Sequence, residues 1–104
     1  MAINANTPRI YYRELLYEYI KNNDVDNVKN VLNDIVEINI NVFTYVNNAL
    51  LSAIEHNNLE IAKLLIECYG ANRYANEQMV NFYLKQKADS RLKSYFGFDV
   101  NPID

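Results

Sequence analysis

The sequence predicts an all-α protein in which short helical hairpins stack on one another. Apolar residues recur at steps of three and four along several segments, which is the spacing of one face of an α-helix. Gly and Pro occur only twice each in the 104 residues, and this scarcity suits helices joined by few tight turns. The chain also matches itself at a shift of 34 residues, so that 14–35 aligns with 48–69. These observations predict a repeated unit of helix, corner and helix.

The first predicted hairpin starts at Thr7 and Pro8, because Thr caps free backbone donors and Pro is tolerated at the first helical position. Its first helix carries the apolar residues Ile10, Leu15, Leu16, Tyr19 and Ile20. The polar stretch KNND (21–24) forms the corner, and Asp24 caps the second helix. The apolar stripe of that second helix consists of Val25, Val28, Val31, Leu32 and Ile35.

The segment VEININVF (36–43) alternates apolar and polar residues, and by its period alone it is typical of a β-strand. An isolated short strand would have no evident partner in this chain. We therefore interpret the segment as an extended loop between two hairpins.

The second predicted hairpin has a first helix that is capped by Asn47 or Asn48 and ends near Asn57. Its second helix is capped by Asn58 and ends at Gly70, since Gly readily adopts the positive φ of helix ends. The apolar positions of the first helix are Leu50, Leu51, Ala53 and Ile54. The buried stripe predicted for the second helix consists of Leu59, Ala62, Leu65 and Ile66, flanked by Ile61 and Leu64.

A third unit follows, in which the polar stretch KQKADSR (85–91) separates two apolar segments. Five aromatic residues are expected to seal this last unit: Phe82, Tyr83, Tyr95, Phe96 and Phe98. Any aromatic surface left exposed there would be available for docking. The tail DVNPID (99–104) is predicted to be a loop.

The match at a shift of 34 residues preserves the corner and the charges as well as the apolar pattern. Leu16 aligns with Leu50, and Asn23 aligns with Asn57. The charged pairs that align are Asp26 with Glu60 and Lys29 with Lys63. A period near this length is typical of tetratricopeptide and ankyrin repeats. The Trp, Gly and Tyr that mark the tetratricopeptide class are absent at the required spacing.

The stretch ALLSAIEHNNLEIAKLLIECYGAN resembles the ankyrin repeat, which pairs a short helix, a tight corner, a second helix and a Gly-containing loop. Some family features are missing: Asn57 stands at the usual corner Gly, and Tyr69 is an apparent insertion before Gly70. The resemblance implies a single domain over 1–104, a short ankyrin-like helical-hairpin solenoid of about three units. The units are roughly 10–43, 44–76 and 77–101, and the last is degenerate or a cap.

The bulk composition argues against some classes of partner and indicates a compartment. A net charge of −3 and scattered basic residues argue against a nucleic-acid footprint. The N-terminus lacks the pattern of a secretory signal, and no apolar run is long enough to span a membrane. With a single cysteine, the chain is expected in a cytoplasm, with the host cytoplasm included. Its Asn, Ile, Tyr and Lys bias is typical of AT-rich genomes, such as those of large DNA viruses and intracellular pathogens.

Catalytic chemistry is not expected. His56 is the only histidine, and we interpret it as an exposed corner residue. Cys68 is interpreted as a partly buried residue at a helix end, and a catalytic pair with His56 is the less favoured alternative. One Cys and one His do not make a zinc site. No phosphate loop or hydrolase motif is present, so no cofactor and no metal are predicted.

The resemblance implies a non-catalytic module that binds another protein through its first helices and loops. The partner-binding residues it implies are Tyr11, Arg13, Lys21, Asn22, Thr44, Tyr45, Asn47, Glu55 and His56, with Tyr45 expected as an exposed anchor.

Four tyrosines crowd the first helix and cannot share one face: Tyr11, Tyr12, Tyr17 and Tyr19. Some of them are therefore either plain surface or interface residues. A viral or bacterial inhibitor or adaptor would fit. The alternatives are an obligate homodimer, formed through an exposed terminal unit, and an enzyme or nucleotide-binding protein on a helical scaffold.

Overall fold

The computed structural model of the chain describes residues 9–38 and 41–98. These residues form six α-helices and no strand, which confirms the predicted all-α class. The helices are α1 (Arg9–Lys21), α2 (Val25–Glu37), α3 (Val42–Glu55), α4 (Leu59–Tyr69), α5 (Glu77–Gln86) and α6 (Ser90–Tyr95). The predicted start at Thr7 and Pro8 and the predicted tail loop (99–104) lie outside the described residues.

Helix α3 lies at the centre of the molecule. It packs against α1 and α2, which precede it in the chain, and against α4 and α5, which follow it. Helix α1 also packs against α2. The first helices of the three hairpins therefore form a row, α1–α3–α5, and α2 and α4 pack against the helices that precede them.

The corners of the first two hairpins have the same backbone geometry, displaced by 34 residues. Asn23 and Asn57 both adopt φ of 56°, in the left-handed region that Asn tolerates better than most residues. The next residue closes each corner with a hydrogen bond of 2.8 Å, from Asp24 N to the Tyr19 carbonyl and from Asn58 N to the Ala53 carbonyl. This bond ends a helix through a left-handed residue, as in a Schellman motif. The internal sequence match is thus accompanied by matching corners.

The apolar stripes meet in one core that draws on all six helices. The stripe predicted for α2 is confirmed in Val28, Val31, Leu32 and Ile35, which are all buried. In α4 the prediction is partly wrong, because Ile61 is fully buried while Leu59 and Ile66 are only half-buried. Asp24 caps α2 as predicted, since its carboxylate accepts a hydrogen bond of 3.2 Å from Asn27 N.

The segment predicted as a loop, 36–43, is helical at both of its ends, and this correction moves the start of the second hairpin. Helix α2 continues to Glu37, and α3 begins at Val42. The side chain of Asn41 caps α3 by accepting a hydrogen bond of 3.1 Å from Phe43 N. Asn47 and Asn48, the predicted caps, therefore lie inside the helix. The apolar spacing of Val42, Tyr45, Val46 and Ala49 is that of one helical face, and it continues the stripe of α3 backwards.

The third hairpin is shorter than the first two and is fixed by side chains. Helix α6 has only six residues, and the Asp89 carboxylate caps it by accepting from Leu92 N at 3.1 Å. The Arg73 guanidinium donates to the Phe96 carbonyl and lies 4.8 Å from the centre of the Phe96 ring. The Tyr95 hydroxyl donates to the Glu67 carboxylate at 2.7 Å. Burial and this carboxylate together raise the pKa of Tyr95 to about 12.

Candidate protein-binding surface

A groove of about 310 Å³ lies between α1 and α3. Its floor is made of buried side chains, namely Leu16, Tyr45 and Ala49. Its walls are made of more exposed residues, Arg13 and Tyr17 on α1 and Asn48 and Ser52 on α3. The groove therefore combines an apolar base with polar and aromatic edges.

The sequence spacing explains why these residues meet. Arg13 and Tyr17 are four positions apart on α1, and Asn48 and Ser52 are four positions apart on α3. Residues at this spacing are neighbours on one face of a helix. Ala49 and Ser52 are small residues, and their size leaves the space that the groove occupies.

Tyr45 belongs to the floor, and the prediction that it is an exposed anchor is wrong. Its side chain is only 3% exposed. Its ring meets the edge of the buried Tyr12 ring, with centroids 5.6 Å apart and planes at 68°. The physical reason is the early start of α3, which places Tyr45 on the same helical face as Ala49. A substitution of Tyr45 would therefore alter the core as well as the surface.

Tyr17 and His56 form an aromatic pair beside the groove. Their ring centroids are 5.4 Å apart with planes at 74°, and Tyr17 remains 40% exposed. His56 Nδ1 lies 2.9 Å from the Ser52 carbonyl oxygen. Because a carbonyl oxygen only accepts, Nδ1 must carry the hydrogen, which leaves Nε2 as the other polar atom of the ring. His56 is half-buried, not exposed as predicted.

Some of the other predicted partner-binding residues are exposed, and none of them lines the groove. Lys21 is exposed and lies 3.9 Å from the Glu18 carboxylate. Asn47 is half-buried and accepts a hydrogen bond of 2.7 Å from Asn72 N, so it fixes the loop after α4. Exposed residues at other places are Asn22 and Thr44, and half-buried ones are Tyr11 and Glu55.

The structure thus brings Arg13 and Tyr45 into the groove and places His56 against Tyr17 at its side. Tyr17, Asn48 and Ser52 were not among the predicted partner-binding residues. The i, i+4 pairing of Arg13 with Tyr17 is a signal in the sequence that could have identified Tyr17.

Arg13 carries the charge of this surface. Within the described residues its guanidinium makes no hydrogen bond and no ion pair. Glu14, Tyr17 and Glu18 line the neighbouring surface of α1 together with Arg13. The unpaired cation therefore lies where the α1 surface meets the groove.

A second depression, of about 400 Å³, lies at the hairpin corners, but several of its polar side chains already contact other parts of the fold. The Asn57 side chain accepts from Asp89 N at 2.9 Å, and Asn58 Nδ2 donates to the Ile20 carbonyl at 2.6 Å. Lys63 lies 5.8 Å from the centre of the Tyr95 ring. We therefore take the groove between α1 and α3, and not the corner depression, as the candidate site.

The contacts of His56 do not include Cys68, the other residue considered for catalysis. The hydrogen bond and ring contact of His56 go to Ser52 and Tyr17. Cys68 is exposed, which corrects its predicted partial burial. No group of three His, Cys, Asp or Glu side chains in the described ranges could hold a metal ion. None of the helices described here is long and apolar enough to cross a membrane.

No known protein family, curated protein or solved structure matches this chain. The resemblance to ankyrin repeats therefore rests on the residues of the chain itself.

Proposed function

We propose that the protein is a non-catalytic protein–protein interaction module that binds its partner through the groove between α1 and α3. The observation that carries this proposal is the composition of the groove, a buried apolar floor bordered by the half-exposed Tyr17 and by Arg13, which is unpaired within the described residues. Arg and Tyr are enriched among the residues that dominate protein interfaces. Such residues form hot spots where an apolar pocket excludes water around them.

We further propose that the module is a short ankyrin-like solenoid. Two observations support this reading: the matching corners at Asn23 and Asn57, and the row that α1, α3 and α5 form. In a solenoid the first helices of successive units present one continuous surface. The groove between α1 and α3 would then be part of that surface.

The partner would be a protein of the cytoplasm, the compartment that we propose for this chain. The residue bias of the sequence favours a virus or an intracellular bacterium as the source, and hence a host or defence protein as the target. A rigid binding surface without catalytic groups would act as an inhibitor or an adaptor.

Affinity capture from a host-cell lysate, analysed by mass spectrometry, tests this function with the wild-type protein and two single variants. Tyr17→Ala removes a half-exposed ring from the groove and is expected to abolish capture of the specific partner. Tyr74→Ala removes another exposed ring, on the loop after α4, and serves as the matched control. A partner that the Tyr17→Ala protein captures as well as the wild type would contradict the proposed surface.

Self-association is the second candidate function, and the exposed face of α5 favours it. Met79 and Phe82 are neighbours on this helix and are 44% and 54% exposed. Large apolar side chains grouped on a surface mark interaction sites. Light scattering should then detect a dimer at micromolar concentration that Phe82→Ser converts to monomer. A wild-type monomer at that concentration would exclude this candidate.

A further inference from the structure

We propose that the groove between α1 and α3 binds an extended acidic segment of the partner, with a carboxylate on Arg13 and an apolar side chain on the floor. This inference rests on the proposed protein-binding function, and it specifies the chemistry that the partner must present. The contacts of the groove carry it in three steps, which concern size, spacing and charge.

The size of the groove favours an extended chain. A volume of about 310 Å³ accommodates one or two side chains and lies at the lower end of the range for ligand sites, roughly 300–1,000 Å³. An α-helix with its side chains is about 10–12 Å across. Two packed helices such as α1 and α3 lie about 8–10 Å apart, so the groove between them admits side chains of a partner but not a whole helix.

The spacing of the walls matches an extended peptide. Side chains at i and i+4 on a helix are about 5–6 Å apart. In an extended chain, residues two positions apart point the same way and are separated by about 6.6 Å. Each wall offers two contact points at about this distance: Arg13 and Tyr17 on α1, and Asn48 and Ser52 on α3. Asn48 and Ser52 also make no side-chain hydrogen bond within the described part of the chain, so they can pair with the peptide backbone.

The charge of the walls selects the carboxylate. The planar Arg13 guanidinium is unpaired within the described residues and binds a carboxylate through two parallel hydrogen bonds. Glu14 and Glu18 line the adjoining surface of α1, and they repel an acidic segment from that side. The acidic residue is therefore confined to Arg13, and the apolar residue two positions away lies beside Tyr17, over Ala49 and Leu16.

Selection of random short peptides displayed on phage tests this inference directly. Peptides selected by the wild-type protein should share an acidic residue two positions from an apolar residue. Arg13→Gln should weaken binding of the corresponding synthetic peptide by about tenfold in fluorescence polarisation. Arg13→Glu should select peptides with Lys or Arg in place of the acidic residue. Lys29→Gln, an equal change of charge on the exposed face of α2, should bind the peptide as the wild type does.

The inference is overturned if no peptide is selected, if the selected peptides lack the acidic residue, or if Arg13→Gln binds them unchanged. These results leave the proposed function standing when lysate capture still depends on Tyr17. Loss of both the peptide selection and the Tyr17-dependent capture would overturn the function as well. Circular dichroism of each variant separates a loss of binding from a loss of fold.

Discussion

The first two hairpins and the third hairpin are stabilised in different ways. The first two repeat one backbone design, with an Asn in the left-handed conformation at each corner. The third has a shorter second helix, and its corner lies where Asp89 caps α6. Besides its share of the apolar core, it is attached by single side chains, Arg73 on Phe96 and Tyr95 on Glu67. The comparison teaches that the third hairpin, which lacks the corner shared by the first two, adds polar contacts with its neighbour to its share of the apolar core.

Side-chain contacts also join the second layer of helices across the hairpins. The Tyr69 hydroxyl donates to the Asn33 side chain at 2.7 Å, and the Tyr95 hydroxyl donates to Glu67 at the same distance. The two acceptors, Asn33 and Glu67, are 34 positions apart and are therefore equivalent in the repeat. The donors are not equivalent positions. The third hairpin therefore contacts Glu67, the equivalent of Asn33, through Tyr95, which is not the equivalent of Tyr69.

The largest expected effect separates the core of the second hairpin from that of the third. Leu65 on α4 and Leu92 on α6 are both fully buried leucines. Leu65→Ala should lower the free energy of unfolding of the whole chain by about 2–5 kcal/mol, because it leaves a cavity in the central hairpin. Leu92→Ala should release only the third hairpin, because in the proposed solenoid each unit contacts only its neighbours. Urea unfolding, followed by circular dichroism, measures the first effect.

Hydrogen exchange of the Leu92→Ala variant provides the second measurement. Amides of α5 and α6 should lose protection while those of α1 and α2 keep it. Equal loss of protection in all three hairpins would show that the chain unfolds as one unit. The hairpins would then not differ in their stability against unfolding.

An intermediate effect is expected where the third hairpin is attached. Arg73→Ala removes a charged hydrogen bond to the Phe96 carbonyl and a ring contact, and should cost α6 about 1–3 kcal/mol of local stability. Arg91→Ala removes only an exposed ion pair of 3.7 Å with Asp89 and should cost about 0–1 kcal/mol. Hydrogen exchange in α6 compares the two variants. Equal effects would mean that Arg73 does not attach the hairpin.

The sequence predicted most of the buried apolar positions and the first two corners because both depend on short-range patterns. The stripe of α2, the cap Asp24 and the left-handed Gly70 were all predicted from spacing and residue type alone. The start of α3 was missed because the alternation in 36–43 competes with a helical pattern, and the cap that Asn41 provides for the helix was not recognised. The spacing of the apolar residues carries no information about the strength of a single cap.

The candidate site was predicted less well, because a groove depends on the packing of two helices. Arg13 was among the predicted residues and lines the groove, whereas Tyr45 was expected to be exposed ahead of the helix because the early start of α3 was missed. Asn58 was expected to cap α4, but its side chain donates to the Ile20 carbonyl of the neighbouring hairpin. Contacts between hairpins are long-range, and no pattern within one hairpin specifies them.

The smallest expected effect concerns the two corner asparagines, which share φ of 56° and differ in one contact. The Asn57 side chain accepts from Asp89 N in the third hairpin, whereas the Asn23 side chain makes no such bond within the described residues. Replacement by Gly relieves the left-handed strain and increases the entropy of the unfolded chain equally at both positions. These common contributions cancel in the comparison. Asn57→Gly should therefore be less stable than Asn23→Gly by about 0.5–1 kcal/mol, the lower range for a hydrogen bond because Asp89 is exposed to water.

Urea unfolding of both Gly variants measures this difference, and hydrogen exchange shows where it arises. The extra loss in Asn57→Gly should appear as faster exchange at the start of α6, where Asp89 caps the helix. In Asn23→Gly that region should exchange as in the wild type. If the two variants are equally stable, the corner bond contributes nothing, and the attachment of the third hairpin depends on the Arg73 and Tyr95 contacts and its apolar core.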